Sequence, residues 1–144
     1  MSVRRIAGRA GAALAALVLA GTLAPPAAGA EVKAYFEFDH PPHPGKWVIK
    51  LVEPAKIQHA RDLLSGATDA DPHVKGWIVK VRAPHNDEWS WHYAPHSITF
   101  IARGGRSCDA PSAEVERRLA EVGDTFLPGR IWCPRRSRIL REVR

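Results

Sequence analysis

From residue 34 onward, apolar and polar positions alternate with periods that predict most of the elements. Ala34-Tyr35-Phe36-Glu37-Phe38 and Trp47-Val48-Ile49-Lys50-Leu51-Val52 are rich in aromatic and β-branched residues. They read as two strands joined by a stiff turn at His40-Pro41-Pro42-His43-Pro44-Gly45. Pro54 at a first helical position and Gly66 just past the end bracket an amphipathic helix of about three turns. On it Ile57, Ala60 and Leu64 share one face, opposite Gln58 and Asp62.

Val74 to Val81 predicts a strand covered on much of both faces, with Lys75, Trp77, Val79 and Val81 on one side and Val74, Gly76, Ile78 and Lys80 on the other. Trp89, Trp91 and Tyr93 alternate with Glu88, Ser90 and His92, and a further short strand runs from Ser97 to Ala102. After the break at Gly104-Gly105, a second helix is expected from Pro111 or Ser112 to Val122, with Val115, Leu119 and Val122 on its buried stripe and Glu114 placed to pair with Arg118. Phe126-Leu127-Pro128-Gly129 reads as a turn, and Arg138 to Val143 as a last edge strand. Strands outnumber helices without the regular alternation of a parallel sheet. The predicted class is therefore α+β: an antiparallel sheet of about five or six strands with two helices packed on it.

Residues 1–30 follow a different pattern. Arg4, Arg5 and Arg9 precede an apolar run from Ala12 to Leu23, which ends at Ala28-Gly29-Ala30. That order predicts a secretory signal peptide cleaved before Glu31. The run falls short of the ~20 apolar residues of a membrane span, and no membrane span is expected in the mature form. Ile6-Ala7-Gly8 adds little to a twin-arginine reading of Arg4-Arg5, so the general secretory route is expected. Residues 31–144 then make one domain with one core. The expected location is secreted, extracellular.

Removing the three leader arginines lowers the excess of positive charge, which is +6 for the whole chain. What remains is concentrated near the end, in Arg130, Arg135, Arg136, Arg138, Arg141 and Arg144. These arginines carry no aromatic ladder for bases to stack on, so nucleic acid is not an expected partner. The two cysteines, Cys108 and Cys133, both follow the leader, and an exported pair is expected to close into a disulfide. Two cysteine ligands of a metal site are the alternative, which would need further Cys or His in register.

Seven histidines invite a test for metal. His40 and His43 flank two prolines, which separates their backbones by ~9 Å in a polyproline segment. His92 and His96 lie ~13 Å apart on a strand. Neither pair chelates one ion unless the chain folds back. The chain has no Gly-x-Ser-x-Gly, no His-Glu-x-x-His and no dinucleotide fingerprint; Arg103-Gly104-Gly105-Arg106 lacks the following helix of a phosphate loop. No catalytic residue, metal ligand or cofactor is expected from these patterns. Five tryptophans are a large apolar load, so most should be core.

Many short motifs in one order resemble the N-terminal domain of a calmodulin-binding protein family of eukaryotic microbes, a domain that also occurs as secreted bacterial proteins. They include Pro54-x-x-Ile57-x-His59-Ala60-Arg61, His73-Val74-x-Gly76-x-Ile78-Val79-Lys80, Trp89-Ser90-x-His92, Cys108-Asp109-Ala110, Phe126-Leu127-Pro128-Gly129 and Trp132-Cys133-Pro134. The likeness runs from about Phe36 to Val143. Three places depart from it: Arg135-Arg136 replace an aromatic and a small polar residue, Ile101 to Ser107 is more polar, and His85 replaces an aromatic. The resemblance implies a shared fold more than a shared activity. Calmodulin, an intracellular eukaryotic protein, is not an expected partner of an exported chain.

The expected function is a secreted binding or interaction domain for a protein, glycan or cell-surface ligand, with His59, His73, Trp89, Trp91 and His92 as the candidate surface. One alternative is a small secreted metal-dependent or histidine-using enzyme gathering His59, His73 and His92. Another is an inhibitor of a secreted enzyme presenting His40 to Gly45 or Arg103 to Arg106 as a rigid loop.

Overall fold

Period-two burial builds the first sheet. In the computed structural model, which describes residues 31–144, strand β1 (Ala34–His40) turns Ala34, Phe36, Phe38 and His40 inward. Strand β2 (His43–Leu51) does the same with Trp47, Ile49 and Leu51. The two pair antiparallel with Phe36 opposite Ile49 and Phe38 opposite Trp47, and close on His40 opposite His43 across Pro41-Pro42. Strand β9 (Arg138–Val143) lies on the other edge of β1, where Arg138 forks onto Asp39 at 2.8 and 2.9 Å. The expected leader, residues 1–30, lies outside the described residues.

A second sheet is organised around β3 (His73–Val79). It pairs antiparallel with β4 (His92–Tyr93), β5 (Thr99–Ile101) and β8 (Ile131–Trp132). Val74, Gly76 and Ile78 face the core. Gly76 is there for space: a Cβ would stand 2.6 Å from Tyr93 Cδ1, so only a bare backbone lets that ring lie against the strand. A short parallel pair, β6 (Val122–Gly123) with β7 (Phe126–Pro128), completes nine strands among the described residues.

The class is α+β, and the described residues hold antiparallel sheets, two α-helices and one disulfide. Helix α1 (Pro54–Ser65) starts at proline and ends at Gly66, whose φ of 76° lets its N–H reach the carbonyls of Asp62 and Leu63. It buries Ile57 and Ala60 and lies along β9, where Arg61 pairs with Glu142 at 2.7 Å. Leu64, expected on the same face, is exposed. Helix α2 (Ser112–Arg117) is shorter than its apolar stripe implied. The chain leaves it at Arg118 for a 3-10 turn, Leu119–Glu121, and Val122 joins β6 instead. Arg118 is held at that junction by Glu114 at 3.2 Å, Glu121 at 2.6 Å and the Phe126 ring at 4.1 Å.

Two strand expectations change. Trp77 keeps 59% of its surface exposed, so only one face of β3 is covered. The helices lie elsewhere, α1 along β9 and α2 beside His40, and neither reaches that outer face. Around Trp89 to Tyr93, only His92–Tyr93 pairs as a strand, because 3-10 turns at Pro84–Asn86 and Pro95–Ser97 occupy both flanks.

Between the sheets lies an aromatic interior of Phe36, Phe38, Trp47, Trp91, Tyr93 and Trp132, none more than 1% exposed. Trp47 is its hub, with Trp91 at 3.9 Å and Trp132 edge-on at 5.4 Å between centroids. Tyr93 Oη donates to Trp132 O at 3.1 Å, and burial pushes its phenol well above the ordinary value, so it stays a neutral donor. The bridge Cys108–Cys133 joins the segment before α2 to the end of β8 at a Cα separation of 5.1 Å.

Candidate functional site

The five side chains singled out in sequence do not meet. His73 opens β3, while His92 sits opposite Val79 at its other end. Six residues of strand put those two positions about 20 Å apart. His59 rides on α1 against the Phe100 ring, 4.9 Å away, with Nε2 3.3 Å from Asp71 O. Each remaining imidazole is likewise tied to its own carbonyl: His73 Nδ1 donates to Ser137 O at 2.8 Å and His92 Nδ1 to Val81 O at 2.6 Å. Trp91 has no exposure at all and cannot be part of a surface; its load of apolar area draws it into the interior. Trp89 is half-buried against Trp47, with Nε1 donating to Lys46 O at 3.3 Å. Among the described residues no three His, Cys, Asp or Glu side chains are placed to hold a metal ion.

His92 does belong to a concave site, with a partner the sequence reading did not select. That partner is His85. Its ring stands 6.0 Å from that of His92, nearly perpendicular, and 5.4 Å from the ring of Tyr35. Together with Val48, Lys50 and Pro84 these rings line a recess of about 760 Å³ on the outer side of the first sheet. Burial lowers the affinity of His85 for a proton, and His92 and Lys50 lower it further, so the imidazole is held neutral. Because a carbonyl only accepts, Nδ1 of His92 carries its proton, which leaves Nε2 as the free nitrogen.

Asn86 is what places His85. Its side-chain Oδ1 accepts from Val48 N at 2.8 Å and its Nδ2 donates to Val48 O, so one amide takes the place of a neighbouring strand on the free edge of β2. The residue is only 5% exposed, and the 3-10 turn that carries His85 is thereby fixed to the sheet. The three-way departure from the family pattern did contain this signal, since His85 is one of the replaced positions.

A second depression, of about 490 Å³, opens at the far end of the hairpin. Pro41, Pro42 and His43 form one wall; His73, Arg103, Asp109, Arg135 and Arg136 complete it. Arg135 Nε donates to Asp109 Oδ2 at 2.7 Å and its backbone N–H to Oδ1 at 3.0 Å, which occupies the one carboxylate.

A family model, that of the N-terminal domain of the calmodulin-binding protein family, matches residues 32–144, nearly everything after the predicted leader. The chain belongs to that N-terminal domain family. Comparison with curated proteins and with solved structures finds no match.

Membership of that family accounts for the fold and leaves the chemistry to the side chains present. His40 and Ser112 resemble a base and a nucleophile only by residue type. Both are 1% exposed, and the contact between them is Ser112 backbone N to His40 Nε2 at 3.2 Å. Burial lowers the proton affinity of His40, His43 adds to that effect, and its neutral ring serves as an acceptor inside the domain. Ser90 Oγ donates to Glu116 Oε1 at 2.6 Å and Ser90 N to Oε2 at 3.1 Å, an arrangement that anchors the loop before Trp91 to α2.

Proposed function

We propose that this domain is an exported binding module whose ligand occupies the recess between His85 and His92. The observation that carries the reading is the pair of imidazoles, 6.0 Å apart, above Tyr35 in a preformed concavity. Apolar walls with a few fixed polar atoms are how binding sites for small groups are built. Tyr35, Pro84 and Pro95 supply the walls; His92 Nε2, the His85 ring and Lys50 supply the polar atoms. A flat group with hydrogen-bonding edges, such as a sugar ring or a peptide side chain of a surface partner, suits that lining. Export is supported by the order of charges and apolar residues in residues 1–30, and the disulfide is compatible with an oxidising compartment.

The test has two parts. N-terminal sequencing of protein recovered from the culture medium should begin at Glu31; an intact chain retained in the cytosol would overturn the export half. Soluble cell-wall oligosaccharides and short peptides titrated into ¹⁵N-labelled protein should shift the His85 and His92 ring signals, and His85→Ala should remove the response. Shifts confined to other surfaces, or none with any probe, would overturn the assignment of the recess.

A further inference from the structure

The depression beside the disulfide gathers charge that the fold does not neutralise. Arg103 comes from the loop after β5, and Arg135 and Arg136 from the turn before β9. Asp109 is the one acidic side chain in the lining, and Arg135 already holds both of its oxygens. Among the described residues, neither Arg103 nor Arg136 has a side-chain hydrogen bond or an ion pair. The walls are stiff. Pro41 and Pro42 form one side, and Gly104 fixes the approach of Arg103, because a Cβ there would stand 2.8 Å from Cys133 O. His73 also lines the depression, with Nδ1 committed to Ser137 O and its other nitrogen free.

Bringing like charges together costs energy that a bound counter-ion returns. We infer that this depression is a binding site for a tetrahedral oxyanion, a phosphoryl or sulfuryl group, held between Arg103 and Arg136. A single carboxylate is satisfied by one guanidinium fork. A tetrahedral group has three or four oxygens and accepts forks from two guanidiniums at once, with a further oxygen left for His73 or His43. The site lies at the opposite end of the hairpin from the His85 recess and does not depend on that reading.

Inorganic phosphate, sulfate and acetate are titrated separately into the purified protein by calorimetry, at fixed low ionic strength and pH 7. Phosphate or sulfate is expected to saturate one site per chain, and whichever binds tighter names the source of the group. Acetate is expected to bind at least tenfold more weakly. Arg103→Gln and Arg136→Gln should each weaken phosphate or sulfate binding at least tenfold, while Lys80→Gln, whose Nζ bonds Ala120 O, leaves it unchanged. Thermal midpoints measured without anion establish that the variants are folded. Absence of saturation with both oxyanions, acetate binding as tightly as either, or full binding by both arginine variants would overturn the assignment.

Discussion

The interior around Trp47 and the basic depression beside Cys133 are opposite solutions to the same problem of unsatisfied groups. In the interior, six aromatic rings satisfy one another by contact, and polar atoms that enter are given backbone partners, as with Tyr93 Oη on Trp132 O and Trp132 Nε1 on Ala110 O at 2.9 Å. In the depression, two guanidiniums stand in the open with no acid among the described residues to meet them. The first arrangement produces stability and presents nothing to a partner; the second contributes little to stability and presents a great deal. Function in this domain is therefore sought where the fold leaves chemistry uncompensated.

Trp47→Ala tests that division most severely. It removes the hub of the interior and is expected to cost about 3–5 kcal/mol by urea unfolding, whereas Arg103→Gln should leave the unfolding midpoint where it was. Replacing both Cys108 and Cys133 by serine should cost about 2–4 kcal/mol through the freed unfolded chain, read as a lower thermal midpoint. Gly76→Ala forces a methyl group into the Tyr93 ring, which has no room to move, and is expected to cost about 1–3 kcal/mol.

Asn86→Ala removes both bonds to Val48 and should cost about 1–2 kcal/mol. It should also loosen the turn carrying His85, seen as faster hydrogen exchange at Val48 N. The smallest expected effect is that of pH. His40 and His85 both have lowered proton affinities in the fold, so the unfolded chain takes up protons near 6.5 before the folded one does. Stability is thus full above pH 6.5 and falls as pH drops through the lower folded values, and a thermal midpoint lower at pH 5 than at pH 7.5 checks the sign. Glu37 acts in the same direction further down. Its hydrogen bond from Arg141, at 3.0 Å, holds the carboxyl below 4.5 although burial opposes this, and its contribution is lost in stronger acid. Lys46 Nζ stands 3.2 Å from its other oxygen as an ion pair without hydrogen-bond alignment.

Local punctuation was legible and long-range assembly was not. Pro54 and Gly66 mark the ends of α1 because each acts on its own backbone, and the period-two runs at Ala34 and Trp47 declare β1 and β2 for the same reason. Alternation cannot say which face another element will cover, and so Trp77 was expected to lie under cover and is exposed. His85 escaped notice because its position is set by an amide bonded to Val48, 38 residues away in the chain. The histidines chosen by motif, His59, His73 and His92, were near one another only as a list; β3 holds two of them at opposite ends. The family resemblance carried the fold, and two of its departures, at His85 and at Arg135-Arg136, fall on the two concave surfaces.

The missing side chain at Gly76 also shapes how this sequence can drift. Tyr93 and Gly76 are fitted to one another across a strand pair, so neither can change first without the lineage passing through a weakened molecule. Enlarging position 76 becomes tolerable only after the ring at 93 has shrunk, and shrinking that ring opens a void while the glycine remains. Such a pair behaves as a lock with two keys that must turn in order, and it narrows the routes by which descendants of this domain can remodel their centre while their rims vary.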